Sequence, residues 1–345
     1  MYNKKINRIL GAICIITAMM AIALVSGCAE TGQKGNLTEN VTEIHFGYQP
    51  STHQIAYLTA RDKNWWNENL APLGVLKITE NLFPSGAPEM TSMLAGDLDV
   101  AYVGAAPFIT ALGKGLDAKI VAAVQVQGSD LVVRTGVPYE NPEDLKGLKI
   151  ATFPSGTIQD TLLRNWLKTN NIDPDKDVTI KSMTGAEAIT AISVGEVDAV
   201  FLPHPDPTKI ESAGYGRTVL KSGEIMPNHA CCVVVVSGDL IRNHPEIVTQ
   251  IVKTHVKATE YINEHHDEAA QIYVNDQGNA TTQESLLPII QKSIQEWDGT
   301  WVADPHLIVN STVNYANLQY ELEYIDKPLT EKDIFDMSFY DSLQK

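Results

Sequence analysis

Ser85-Gly86-Ala87-Pro88-Glu89-Met90-Thr91-Ser92-Met93-Leu94-Ala95-Gly96-Asp97-Leu98-Asp99-Val100-Ala101-Tyr102-Val103 returns 99 positions later, without a gap, as Thr184-Gly185-Ala186-Glu187-Ala188-Ile189-Thr190-Ala191-Ile192-Ser193-Val194-Gly195-Glu196-Val197-Asp198-Ala199-Val200-Phe201-Leu202. Gly86, Ala87, Thr91, Gly96 and Asp99 recur identically, and seven further pairs exchange like for like. The chain therefore contains two related units, too few and too far apart for a stacked solenoid. Each copy reads as helix, tight turn, strand. Met90, Met93 and Leu94 fall at helical spacing in the first copy, Ile189 and Ile192 in the second. Gly96 and Gly195 stand where the helix must stop, and the apolar runs Leu98–Val103 and Val197–Leu202 suit buried strands. Asp99 and Asp198, at the strand starts, are read as residues that tie down the turn.

A second echo precedes the first. Ile44-His45-Phe46-Gly47-Tyr48-Gln49-Pro50-Ser51 matches Leu148-Lys149-Ile150-Ala151-Thr152-Phe153-Pro154-Ser155 at a shift of 104. Helical stretches follow, Ile55 to Trp66 and Ile158 to Leu167. Each half thus spells strand, Pro-Ser, helix, strand, Ser/Thr-Gly-Ala, helix, strand, which implies an α/β lobe with a mostly parallel sheet flanked by helices. Such sheets bind ligands at the carboxyl ends of their strands, where helix N-termini also point.

The chain has 345 residues, a formal net charge of −16 and four cysteines. Lys4, Lys5 and Arg8 precede an apolar stretch, Ile9 to Leu24, that closes on Val25-Ser26-Gly27-Cys28. This is the grammar of a secretory signal, so residues 1–27 are expected to be a leader and the globular part to lie outside the cytoplasm. A retained membrane anchor is the other reading, because the apolar stretch is nearly long enough to span. Residues 28–42 are polar and suit a flexible tether. Loss of residues 1–27 removes three positive charges and no negative one, taking the net charge to −19. Such a surface argues against nucleic acid as a partner. Cys231 and Cys232 are then the cysteines left beyond Cys28; on a strand they point to opposite faces and read as buried free thiols, with a strained vicinal disulfide as the alternative. His229 lies nearby, but no further ligand stands at a familiar metal spacing, and no metal or cofactor is expected.

With an export signal, a lipobox-like Val25–Cys28 and two βαβ halves, the chain resembles the solute-binding lipoproteins of ABC importers, in the branch that serves nitrate, taurine and alkanesulfonates. The resemblance rests most on Leu94-Ala95-Gly96-Asp97-Leu98-Asp99-Val100-Ala101 and on Asn141-Pro142-Glu143-Asp144-Leu145-Lys146-Gly147-Leu148-Lys149-Ile150-Ala151. It implies a type II periplasmic-binding-protein-like fold of two lobes with a ligand cleft between them. It also implies a diacylglyceryl-modified Cys28 at the outer face of the membrane, a monomer, and an ABC permease and ATPase as partners. The first lobe is expected at 43–128 plus 239–345 and the second at 129–238. One crossing is expected at Gln125–Val133, and the return after the apolar strand Ala230–Ser237, before Pro245. Function would be hinge closure over a small anionic or zwitterionic solute, sulfonate- or taurine-like, or nitrate or bicarbonate. Binding or synthesis of a thiamine-pyrimidine precursor, or a non-transport sensory role, are the alternatives. No phosphate loop, nucleophile elbow or zinc-protease motif is present, and an enzyme is not expected.

The cleft loops then supply the candidate site. In the first lobe they hold Ser51, Thr52 and His53, Ser85 and Gly86, and Gly104, Ala105 and Ala106, with Gln127 at the crossing. In the second they hold Ser155, Gly156 and Thr157, Thr184, His204 and Asp206. Each Ser or Thr reads either as a helix N-cap or as a ligand contact. No Lys or Arg sits in these turns, so an oxyanion is expected to be held by backbone N–H groups and hydroxyls at helix N-termini. Asp206 reads either as a helix-start acid in the Pro-rich turn 203–207 or, for a taurine-like solute, as the partner of its amino group.

Overall fold

The duplicated aspartates show how the two halves are built. The computed structural model describes residues 41–278 and 281–344; the expected leader, Cys28 and most of the expected tether lie outside the described residues. Asp99 Oδ2 accepts the His45 backbone N–H at 2.8 Å, and Asp198 Oδ2 accepts the Lys149 N–H at 3.1 Å. Their own N–H groups donate back to the carbonyls of His45 and Lys149, at 3.0 and 2.8 Å. The same stitch therefore starts the sheet in each half.

The first sheet contains β1 (Glu43–Tyr48), β2 (Lys77–Leu82), β3 (Val100–Gly104), β4 (Ala118–Val126), β10 (Ala230–Ser237) and β11 (Thr300–Trp301). The second contains β5 (Ser129–Arg134), β6 (Lys149–Thr152), β7 (Thr179–Ser182), β8 (Ala199–Pro203) and β9 (Gly216–Lys221). Their orders are β2-β1-β3-β10-β4-β11 and β7-β6-β8-β5-β9. The parallel cores β2-β1-β3 and β7-β6-β8 are the alternating units expected from the repeat. Each sheet is then split by one antiparallel strand, β10 in the first and β5 in the second, so both are mixed.

That intruding strand is in each case the first one laid down after the chain changes sheets. The chain leaves β4 and enters β5 through Gln127 and Gly128, both at positive φ. It returns between Lys221 and Ala230. This overturns the expectation that Ala230–Ser237 belongs to the second lobe and precedes the return: β10 pairs with β3 and β4 of the first sheet. A wholly apolar run suits the middle of either sheet, so its composition could not choose between them. The polar stretch Ser222–His229, with Gly223, Pro227 and Asn228, was the clue.

Gly96 and Gly195 stop their helices at φ 85° and 74°. The helices before them, Gly86–Ala95 and Gly185–Ser193, each begin against the start of the next helix of their half. A Cβ on Gly86 would meet Pro107 Cγ at 2.6 Å, and one on Gly185 would collide with Asp206. Pro107 and Asp206 are themselves 99 positions apart. The helix read from Ile55 to Trp66 is broken by Asn64 at φ 59°, so Trp66 sits in a second short helix and buries its ring against Phe46 at 5.0 Å. Helix Pro245–Glu264 packs on the first sheet, with Ile247, Val248, Ile251 and Val252 buried and His255 Nε2 donating to the Ala123 carbonyl at 2.7 Å. Among the described residues no helix is long and apolar enough to cross a membrane.

Candidate functional site

In both sheets the carboxyl ends of the parallel strands face one cleft, and the antiparallel strands bring their first residues to the same place. Cys232 pairs with Gly104 at the end of β3, and Ser129 pairs with Pro203 at the end of β8. Two adjoining cavities lie there, one much smaller than the other, and share Gln49, Ser51, Phe153 and Pro203. Gln49 and Phe153 are equivalent positions of the second echo, so each half sends the residue before its Pro-Ser pair into the cleft.

Of the expected residues, Ser51, His53, Gly86, Gly104 and Thr157 line the smaller cavity. Ser51, Thr184, His204 and Asp206 line the larger one. The choice between cap and contact dissolves for three of them. Ser51 Oγ accepts the His53 N–H, Thr157 Oγ1 that of Asp160, and Thr184 closes a capping box with Glu187, while all three border the cleft.

Other expected residues stand aside. Thr52 is wholly buried behind the wall, and its carbonyl accepts the Trp301 indole N–H at 3.0 Å. Ser85, Ala105 and Ala106 are buried without lining either cavity. Ser155 opens instead into a separate pocket beside Met90, Leu94 and Thr110. The Gly156 amide is taken by Asp160 Oδ2 at 3.1 Å and its carbonyl by Gln319 at 3.0 Å, so this turn offers Thr157 to the cleft and not Ser155 or Gly156. Gln127 is a crossing residue: its amide donates to the Asp298 carbonyl and accepts the Asn228 N–H.

The sequence reading missed a cation. Lys209 lines the larger cavity one helical turn past the Pro-rich loop, 2.9 Å from Asp206 Oδ1. Burial works against its charge, but Asp206 outweighs burial and leaves its pKa above the ordinary lysine value. The expectation of an oxyanion site formed without a Lys or Arg is thereby corrected at the larger cavity. Gln54, Gln159, Tyr273 and Gln277 also line the cavities without any local sequence signal. Glu89 is fully buried beneath the cleft, where burial drives its pKa well above the carboxylate range and Gln49 Nε2 donates to Oε2 at 2.7 Å.

The histidines have different surroundings. His204 Nε2 meets Asp130 Oδ2 at 3.1 Å and its Nδ1 meets Ser293 Oγ at 2.9 Å. His53 Nε2 meets the Gly128 carbonyl at 2.8 Å and its Nδ1 faces Cys231 Sγ at 3.2 Å. Cys231 and Cys232 are buried and unpaired as expected, yet they do not splay: their sulfurs are 3.9 Å apart. Hydrogen bonding to Cys231 draws the Cys232 thiol below its ordinary value, and Cys231 is pushed up in return. His229, the histidine adjacent in sequence, turns away to the Tyr315 hydroxyl at 2.8 Å.

Comparison with known proteins places this geometry. A Bacillus subtilis (strain 168) protein named for binding aliphatic sulfonates is 27% identical over 327 residues, covering 94% of this chain and 95% of its own length. The alkanesulfonate-binding protein SsuA of Xanthomonas axonopodis pv. citri, solved with MOPS, superposes with a TM-score of 0.74 at 18% identity, over 85% of this chain and 98% of its own. The periplasmic nitrate-binding protein NrtA of Synechocystis PCC 6803 superposes with a TM-score of 0.73 at 16% identity, over 88% of each. Both solved structures share the two-sheet fold. The family model of the NMT1-like family matches residues 37–274, and the chain belongs to that family.

Proposed function

We propose that the protein is the extracytoplasmic solute receptor of an ABC importer, closing its two halves over a small anionic or zwitterionic solute of the sulfonate class. The observation that carries this reading is the cleft itself. Helices Gly86–Ala95, Ala105–Gly113, Ile158–Thr169 and Gly185–Ser193 start at its edge from both halves, with Lys209 and Asp206 side by side on one wall. Helix N-termini and a protonated lysine attract a sulfonate, and Asp206 suits an ammonium at the far end of a taurine-like molecule. The relatives' names point the same way, since aliphatic sulfonates, alkanesulfonate and nitrate are all small anions.

Cys28 would carry a lipid anchor, a permease and an ATPase would receive the solute, and the protein would act as a monomer. Calorimetric titration with taurine, ethanesulfonate, nitrate and bicarbonate tests the solute class. Saturable one-to-one binding of a sulfonate is expected; binding of none of the four would sink the reading. Release of a Cys28→Ala variant from membranes tests the anchor separately, and continued membrane association would contradict it.

A further inference from the structure

Nothing in the anion reading uses the cluster at the floor of the smaller cavity. His53, Cys231 and Cys232 are almost fully buried, and their ligand atoms all lie within 4.8 Å of one another. We propose that they form a binding site for a thiophilic d10 cation such as Zn2+, with one coordination position left open to the cleft.

Backbone geometry supports this first. Consecutive side chains of a regular strand point to opposite faces. Here the register between β10 and β4 slips on both sides of Cys232, and the irregularity turns the two thiols toward one centre. The spacing fits next. A tetrahedral ion at about 2.3 Å from each sulfur and about 2.0 Å from nitrogen requires separations of about 3.8 Å between the sulfurs and about 3.5 Å from each sulfur to nitrogen. The sulfurs are 3.9 Å apart, and His53 Nδ1 lies 3.2 Å from Cys231 Sγ and 3.9 Å from Cys232 Sγ.

The tautomer is also set. The Gly128 carbonyl can only accept, so the Nε2 that meets it at 2.8 Å carries a proton, and Nδ1 is the ring nitrogen left to turn a lone pair to a metal beside the thiols. Two sulfurs with one imidazole select soft or borderline ions over Mg2+ or Ca2+. Binding of Zn2+ would displace to solvent whatever protons the two sulfurs still carry, and two thiolates with a neutral imidazole leave an uncharged three-ligand centre. All three residues line the smaller cavity, so the fourth position faces that space, which adjoins the larger cavity assigned above to the solute, and a water or an oxygen of an entering anion completes it. Only this last point rests on the proposed function.

The test uses the full chain kept reduced. Titration with Zn2+ against a chromophoric indicator, and with Co2+ followed by absorption, should give one equivalent and a thiolate-to-cobalt charge-transfer band. Both should vanish in Cys231→Ser/Cys232→Ser and in His53→Ala, and persist in Cys28→Ser. Azide added to the Co2+ form should change its spectrum by entering the open position. No binding by folded wild-type protein, or binding that survives in the double serine variant, would overturn the proposal. A spectrum indifferent to azide would overturn the open position. Should either serine or alanine variant melt like an unfolded chain, alkylation of wild-type thiols with iodoacetamide must abolish the band instead; a band that remained would count against the site. Sulfonate titration of zinc-free protein keeps the two readings apart: solute bound without any zinc uptake defeats only the metal site, and zinc uptake without solute defeats only the solute reading.

Discussion

Lys209 and Asp206 carry opposite charges into the larger cavity, and Asp206 holds Lys209 in its ionised form. A charge-assisted contact to a sulfonate contributes about 1.5–3 kcal/mol, so Lys209→Met is expected to weaken sulfonate binding by about 10–100-fold. Asp206→Asn should weaken taurine far more than ethanesulfonate, which lacks the ammonium. Calorimetry on the two variants checks both, and equal losses for the two solutes would remove Asp206 from recognition. At the strand starts, Asp198→Ala leaves the Lys149 N–H without its carboxylate and should cost about 1–3 kcal/mol of stability in urea unfolding. Asp99→Ala, its counterpart, is expected to cost a similar amount. Ser51, Thr157 and Thr184 could be read from the sequence because their turns occur twice at matching places. Lys209 could not, since it lies one turn inside a helix and only the fold swings it into the cleft. The thiols misled for a related reason: alternation along a strand is a rule for regular pairing, and β10 is irregular at Cys232.

Between the halves, Asp298 holds both crossings at once. Its Oδ1 accepts the Gly128 N–H at 2.9 Å and its Oδ2 accepts the Gly223 N–H at 2.7 Å. Gln127 adds a bond to each side, to the Asp298 carbonyl and from the Asn228 N–H. Asp298→Ala is expected to lower stability by about 2–4 kcal/mol and to weaken solute binding, because the two segments then flex independently. An unchanged urea midpoint with unchanged affinity would remove the clamp. The first crossing was legible from its polar interruption of a strand. The second was not, because a buried apolar strand reads alike in either sheet, and this error carried β10 and its cysteines to the wrong half.

On the scale of the whole molecule, two buried imidazoles set the acid limit. Burial holds His229 and His255 at about 4, below the ordinary value near 6.5. Both folded-state values are depressed, so the native state resists protonation that the unfolded chain accepts. Their contribution is complete above pH ~6.5 and is lost as pH falls toward 4, by about 3 kcal/mol for each histidine as an order of magnitude. Glu89 acts in the opposite sense, its raised pKa favouring the native state at low pH, so Glu89→Gln should steepen the loss. Urea unfolding at several pH values between 7 and 4 checks this, and a flat profile would contradict it.

The proposed closure brings the halves together around Trp297, whose ring centroid lies 5.5 Å from that of His53 and 6.2 Å from that of His204. Intrinsic fluorescence should therefore respond to binding. The most direct measurement is thermal unfolding of the purified protein with and without a sulfonate. At solute near 100 times its dissociation constant the native state should gain about 2.7 kcal/mol and melt at a clearly higher temperature. An unmoved melting temperature with every sulfonate, nitrate and bicarbonate tried at millimolar concentration would contradict a receptor that closes over a small anion.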